Sequence, residues 1–177
     1  MKEETKFNIA TAIATFFGVG NAPIAPGTFG SLAAFPLFFI FAFFVEEAGL
    51  SGTWFNVFIF ILDIVILYAI AWWSIDVYIT ANKKDDPSEV VIDEVIGQLI
   101  AYMLPLIISF KIPTNQTLFN TLWFFLPFIF FRFFDIKKPS LVGYFDKNWH
   151  NANGILLDDV TAGIFASIVC IAILYFC

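Results

Sequence analysis

The sequence predicts an all-α integral membrane protein, a bundle of four or five spanning helices preceded by a short amphipathic N-terminal helix. Three observations support this fold class. The 177 residues are 60% hydrophobic, only 14% of them are charged, and the apolar residues, among them 25 Phe, fall into long runs. A soluble domain of this size needs a polar surface that such a composition cannot supply. The length predicts a single membrane-embedded domain, residues 1–177.

The N-terminal segment is the predicted amphipathic helix. Its sequence, MKEETKFNIATAIATFFGVG, is too acidic for a good secretory signal and favours a short helix at the membrane surface. The next stretch, GVGNAPIAPGTFGS, is rich in Gly and Pro and predicts a compact loop.

Five apolar runs follow, and each is a candidate spanning helix because about 20 mostly apolar residues cross a bilayer. They cover residues 29–45, 54–75, 92–110, 117–134 and 155–176. The first and third are short, so four or five are expected to span. If all five do, eight of the nine Lys and Arg residues fall on the side of the N-terminus, and only Lys111 lies opposite. The positive-inside rule then makes that side cytoplasmic.

Carboxylates at the start of the third run are the first candidate site. Glu89 and Asp93 are four residues apart and would share a helix face, with Glu94 beside them. A helix N-terminus with Pro87 in its first turn would explain Glu89 through the helix dipole. Asp93 and Glu94 lie further in, against apolar neighbours, where an ionised carboxylate is costly. We therefore expect Asp93 and Glu94 to bind a metal ion.

A second acidic pair, Asp158 and Asp159, opens the last run, and Ala162 and Gly163 one turn later allow close helix packing. Capping by Asp159 is the alternative, if the helix starts there. Two helices that bring carboxylate pairs to one level predict a hard divalent cation, and we expect Mg²⁺.

The segment between these pairs carries candidate phosphate ligands. Arg132, Asp135 and Lys138 recur at a spacing of three, and Arg and Lys both bind phosphate oxygens. The alternative for the cations is snorkelling to the interface. Asp135 is either a metal ligand or the partner of Arg132. His150, the only histidine, is an acid/base or ligand candidate, or a structural loop residue.

Thr28 and Ser31 lie at the start of the first spanning run. Free backbone N–H groups at a helix start attract anions, and these two hydroxyls add donors. A capped loop explains the same residues.

Four blocks resemble the phosphatidylglycerophosphatase A family of bacterial lipid phosphatases. They are GVGNAPIAPGTFGSLAAFPL (18–37), DPSEVVIDEVIGQLIA (86–101), FRFFDIKKP (131–139) and FDKNWHNANGILLDDVTAG (145–163). They occur in family order and span nearly the whole chain. At HNANG (150–154) the family more usually has a glycine-richer stretch.

The resemblance implies a Mg²⁺-dependent enzyme of the bacterial inner membrane. Such an enzyme would hydrolyse phosphatidylglycerophosphate to phosphatidylglycerol and inorganic phosphate at the cytoplasmic face. The implied metal ligands are Glu89, Asp93, Glu94, Asp135, Asp158 and Asp159. The catalytic candidates are Asp93, Glu94 and Asp159, and the phosphate-binding candidates are Arg132, Lys138, Thr28, Ser31 and His150. Direct attack by water is favoured over an aspartyl-phosphate intermediate, because no DxDx(T/V) signature is present.

Other classes fit less well. The net charge of −6 argues against a nucleic-acid ligand. A cation transporter or channel using the same carboxylates is the alternative function. It would need charged residues throughout the membrane, and only Asp63 lies deep. The sequence leaves the oligomeric state open.

Overall fold

The computed structural model describes residues 3–49, 54–109 and 116–176. Within these ranges the chain forms seven α-helices and no strand, which confirms the all-α prediction there. The helices are α1 (Glu3–Ala14), α2 (Pro26–Glu47), α3 (Trp54–Asn82), α4 (Ile92–Ser109), α5 (Gln116–Lys137), α6 (Leu141–Asn148) and α7 (Ala152–Phe176). A 3₁₀ turn, Val19–Asn21, lies between α1 and α2.

Three helices in the described ranges are long and apolar enough to cross a membrane. They are Pro26–Phe44 in α2, Trp54–Asn82 in α3 and Ala152–Ile173 in α7. The third and fourth predicted runs correspond to α4 and α5, and the side chains of residues 103–124 lie outside the described part of the chain. The total of four or five spans therefore stays a prediction.

The helix α4 is the centre of the bundle and contacts α2, α3, α5 and α7. Its residues Val95, Ile96 and Leu99 are almost fully buried. One turn further on, the ring of Tyr102 lies 5.2 Å from the ring of Phe35 in α2. A central helix that contacts four neighbours leaves little of its surface to solvent. The carboxylates at its start therefore lie between helices.

Glycines allow α4 and α7 to cross closely. A methyl group at Gly97 in α4 would lie 2.6 Å from the backbone oxygen of Asp159 in α7. A methyl group at Gly163 would lie 3.1 Å from the carbonyl carbon of Gly97. The Ser167 hydroxyl fixes the crossing by donating to the backbone oxygen of Ile100 at 2.9 Å. This crossing places the start of α4 beside the second turn of α7.

The predicted N-terminal helix is present as α1, which packs along α3. Its Ala10 and Ala14 are fully buried, and the ring of Phe7 stacks on Tyr78 with centroids 6.3 Å apart. The amphipathic character of α1 and its position at a membrane surface stay predictions.

The third apolar run begins at Ile92 as predicted, but the helical placement of Glu89 and the capping alternative for Asp159 need correction. The helix α4 begins at Ile92, so Pro87 does not lie in its first turn and Glu89 does not share a helix face with Asp93. The Val91 N–H donates to the Ala14 carbonyl, at the end of α1, and this bond holds the preceding segment outside the helix. The helix α7 begins at Ala152, where the Asn151 side chain caps the Gly154 N–H. Asp159 is therefore well inside α7 and does not cap it.

Candidate active site

A cavity of about 280 Å³ opens where α2, α4 and α7 begin and α5 ends. Two cations, Arg132 and Lys138, line it. The carboxylates that line it are Asp85, Asp86, Asp93, Glu94, Asp135, Asp146, Asp158 and Asp159. With all of them ionised, eight negative charges face two positive ones, which leaves a formal charge of −6. Such a cavity attracts cations strongly and accepts a phosphate only with cations present.

Three of these carboxylates converge on one point. Asp93 and Glu94, in the first turn of α4, and Asp159, in α7, each bring an oxygen to within 4.8 Å of the other two. The exposed fraction is only 8% for Asp93 and 3% for Asp159. Like charges this close repel each other, so the arrangement is stable only with a bound cation or with some of the carboxyl groups protonated.

The hydrogen-bonding state of this triad fits a metal ion. Among the described residues, Asp93 Oδ1, Glu94 Oε2 and Asp159 Oδ1 are buried and have no hydrogen-bond partner. Buried carboxylate oxygens without a donor are rare because each loses its hydration uncompensated. Oxygen ligands of this kind suit a hard divalent cation. Two oxygens that bind one Mg²⁺ at about 2.1 Å lie at most about 4.2 Å apart, so the triad, whose oxygens lie within 4.8 Å of one another, has about the span that one such ion needs.

The helix α2 approaches Glu94 through a glycine. Gly27 is the second residue of α2, after Pro26, and a methyl group there would lie 3.0 Å from Glu94 Cδ and 3.3 Å from Arg132 Nη1. Only a residue without a side chain leaves room for both groups. Gly27 therefore sets the space in which the Glu94 carboxylate and the Arg132 guanidinium sit side by side.

Arg132 lies one and a half turns from the end of α5 and is half-buried. Its Nη1 donates to Asp135 Oδ2 at 2.6 Å and to the Ser31 hydroxyl at 3.3 Å. Ser31 is fully buried and donates in turn to the Gly27 carbonyl at 2.9 Å. Ser31 thus orients Arg132 and does not itself line the cavity.

Lys138 is held by two carboxylates. It follows the last residue of α5, has a positive φ of 46°, and donates from Nζ to Asp158 at 2.9 Å and to Asp146 in α6. Burial works against its charged form, but the hydrogen bonds to Asp146 and Asp158 outweigh burial and raise the pKa of Lys138. Lys138 therefore stays a cation at any physiological pH.

The other predicted site residues are placed as follows. Glu89 lies outside the lining of the cavity and pairs with Lys84, and the hydrogen bond from Lys84 lowers the pKa of Glu89. Thr28 also lies outside that lining, and its N–H donates to the Ala25 carbonyl. His150 lines the cavity and is exposed to solvent.

Two polar contributors were absent from the sequence prediction. Asp146 pairs with Lys138 across the turn between α5 and α6. The two residues are eight apart and do not lie in one helix, so helical spacing could not reveal this pair. Gln98 is fully buried one turn beyond Glu94, and its place in the apolar part of α4 was the available signal.

Asp63 belongs to a different part of the molecule. It lines an apolar cavity of about 600 Å³ between α2 and α3, with Leu99 of α4. This cavity shares no lining residue with the acidic cavity.

Comparisons with known proteins agree with the resemblance in the sequence. The family model of phosphatidylglycerophosphatase A matches residues 12–174. The phosphatidylglycerophosphatase A of Escherichia coli (strain K12) is 32% identical over 169 residues, which cover 93% of this chain and 80% of the relative. The phosphatidylglycerophosphatase A of Haemophilus influenzae is 30% identical over 175 residues, covering 99% of this chain and 94% of the relative.

A third relative carries a different name. It is the "Putative phosphatidylinositol-3-phosphatase" of Bacteroides thetaiotaomicron, 33% identical over 164 residues, which cover 89% of this chain and 88% of the relative. No solved structure gives a significant match. The family match and the extent of the two phosphatidylglycerophosphatase relatives lead to one conclusion: the chain belongs to the phosphatidylglycerophosphatase A family of phosphatases.

Proposed function

We propose that this protein hydrolyses phosphatidylglycerophosphate to phosphatidylglycerol and inorganic phosphate, with Mg²⁺ held by Asp93, Glu94 and Asp159. The observation that carries the proposal is the convergence of three buried carboxylates in the same cavity as Arg132 and Lys138, in a chain of this family. Carboxylates alone would repel a phosphate. Carboxylates with a divalent cation and two basic side chains can bind one.

The reaction transfers a phosphoryl group to water. The water oxygen forms a bond to phosphorus, the ester P–O bond breaks in line, and the departing glycerol oxygen takes up the proton that the attacking water has given up. A Mg²⁺ ion supplies neutralisation of the charge on the phosphoryl oxygens. Asp93 or Glu94 accepts the proton of the attacking water. Arg132 and Lys138 bind the phosphoryl oxygens and keep them aligned.

The remaining acidic residues support the basic ones. Asp135 accepts a hydrogen bond from Arg132, which supports its role as the partner of Arg132 over a role as a metal ligand. Asp158 likewise accepts a hydrogen bond from Lys138. When phosphate binds, each cation keeps a carboxylate behind it, and this fixes the direction in which its free N–H groups point. Glu89 can be a metal ligand only if it gives up its pairing with Lys84 when the metal ion binds.

The site is proposed to face the cytoplasm of a bacterium, at the inner membrane. The basis is the distribution of Lys and Arg along the chain and the bacterial relatives. Charged residues cluster at one end of the bundle, which suits a lipid headgroup at the interface. This clustering also favours an enzyme over a cation channel, since Asp63 lies in a separate cavity.

The test measures phosphate release from phosphatidylglycerophosphate by the purified protein, with Mg²⁺ and with EDTA. We expect release with Mg²⁺ only. Asp159→Asn should abolish release in a protein that stays folded in detergent, because it removes a charge from the triad. Asp76→Asn is the matched control, since Asp76 is an exposed carboxylate of α3 outside the cavity lining, and it should keep full activity. Full activity of Asp159→Asn would contradict the proposed metal site.

The same assay should include phosphatidylinositol 3-phosphate, the lipid class in the name of the Bacteroides relative. Mg²⁺-dependent release from this lipid alone would support the proposed metal site but would contradict phosphatidylglycerophosphate as the substrate. Release from neither lipid would contradict the proposed function.

A further inference from the structure

Gln98 in α4 is a fully buried polar side chain that the proposed reaction does not use. Its exposed fraction is 0%, and neither its Nε2 nor its Oε1 has a hydrogen-bond partner among the described residues. An unpaired buried amide loses its hydration without compensation, so such groups are rare in native proteins. The position of this one relative to the carboxylate triad gives it a role.

Gln98 lies one helical turn from one member of the triad. It follows Glu94 by four residues in α4, so the two side chains share a helix face. On the same face, Tyr102 packs on Phe35 in the level below. In the level above, Glu94 lies beside Gly27 and Arg132. Gln98 therefore fills the layer between an aromatic core and the acidic site.

The atoms without partners at this level are complementary. Glu94 Oε2 is an acceptor without a donor, and Arg132 Nε is a donor without an acceptor. A glutamine amide has both an NH₂ group and a carbonyl oxygen. The Gln98 amide, one helical turn from Glu94, therefore carries the donor that Glu94 Oε2 lacks and the acceptor that Arg132 Nε lacks.

We propose that Gln98 is a positioning residue that holds the Glu94 carboxylate, and with it Arg132, in the orientation that binds the metal ion and phosphate. This proposal rests on the proposed function, because it assumes that the triad binds Mg²⁺. Carboxylates that bind metals are usually hydrogen-bonded in turn, and loss of such a partner typically weakens metal affinity or activity about 10- to 100-fold.

The test is Gln98→Met, which keeps the length of the side chain and removes the amide. Mg²⁺ binding is measured by titration calorimetry on the purified full chain without substrate, and stability by thermal unfolding without Mg²⁺. We expect the Kd for Mg²⁺ to rise about 10- to 100-fold. We also expect the unfolding temperature to stay the same or to rise, since an apolar group replaces an unpaired amide. A purely structural role predicts the reverse: a lower unfolding temperature and an unchanged Kd.

Ser167→Ala is the matched control. Ser167 is also fully buried and polar, but it bonds to the backbone of Ile100 and Gly163, away from the cavity. It should lower the unfolding temperature and leave the Kd unchanged.

Three results would overturn the proposal. An unchanged Kd in Gln98→Met would show that the amide does not position Glu94. If neither Gln98→Met nor Gln98→Leu folds, the role of the Gln98 side chain is structural. Absence of Mg²⁺ binding in the wild-type protein would contradict the proposed function itself, and this distinguishes it from the first two results.

Discussion

The most direct test of the site geometry is Gly27→Ala, which adds one methyl group between α2 and the acidic cavity. That methyl carbon would clash with Glu94 Oε1 and would lie 3.0 Å from Glu94 Cδ. Two carbon atoms in contact without repulsion are about 3.5–4.0 Å apart, and the overlap with the oxygen is larger than the overlap with Cδ, so the carboxylate must move by more than about 1 Å. The end of the Glu94 side chain can make this movement, whereas the backbone need not shift.

A displacement of about 1 Å in a catalytic group can reduce the rate about 100-fold. We therefore expect kcat for phosphate release to fall about 100-fold, which corresponds to about 2.7 kcal/mol in the activation free energy. Thermal unfolding should change little, because alanine is at least as favourable as glycine in a helix. The assays are phosphate release at saturating Mg²⁺ and lipid, and thermal unfolding of the same preparation.

Gly30→Ala is the control for an added methyl group in the same helix. At Gly30 the methyl carbon would lie 2.8 Å from Val91 Cβ but at an ordinary contact distance, 3.4 Å, from Glu94 Oε2. It should lower the unfolding temperature and reduce kcat far less than Gly27→Ala. In the double variant Gly27→Ala/Glu94→Asp the shorter acid leaves room for the methyl group, so the two losses should not add. An unchanged kcat in Gly27→Ala, or additive losses in the double variant, would refute the reasoning.

Three further predictions concern other parts of the structure. Lys138→Ala should lower kcat/KM about 10- to 100-fold, because hydrogen bonds to charged groups contribute about 1.5–3 kcal/mol. Lys137→Ala, at the exposed neighbouring position, should leave kcat/KM unchanged. Equal effects of the two substitutions would show that Lys138 does not contact phosphate. Gly163→Ala should lower the unfolding temperature, since its methyl group would lie 3.2 Å from Ile100 Cβ and overpacking costs about 1–3 kcal/mol. Ile164→Ala, at an exposed position, should lower the unfolding temperature less. The opposite order would argue against the close crossing of α4 and α7. Reporter fusions at 46–53 and 111–116 should give signals outside the cytoplasm, and cytoplasmic signals there would contradict the topology.

Much of the fold followed from local patterns. The composition and the apolar runs predicted an all-α chain, and the five runs correspond to α2, α3, α4, α5 and α7. The placement of Glu89 on the face of α4 was wrong, because the start of this helix depends on a contact between distant segments. The bond from Val91 to Ala14 holds the chain outside α4 until Ile92, and no residue near position 87 reveals it.

The candidate site divides in the same way. Residue type and hydrophobic surroundings were enough to select the pairs Asp93–Glu94 and Asp158–Asp159, because an ionised carboxylate in an apolar run requires compensation. Only the structure separates Asp159, which meets the first pair, from Asp158, which pairs with Lys138. The pairing of Lys138 with Asp146 was not predictable, since it joins residues on both sides of a turn.

The sequence by itself determined that the chain is helical, with runs long and apolar enough to cross a membrane, and that its carboxylates and basic residues are concentrated where helices begin or end. It also carried the four blocks that resemble the family. The tertiary structure alone decided which of those groups meet. Gly97 and Gly163 let α4 and α7 approach until Asp159 lies beside Asp93, and Gly27 lets α2 close over Glu94. These distances depend on how closely helix backbones pack, and that is a property of helix pairs which no local pattern in one segment contains.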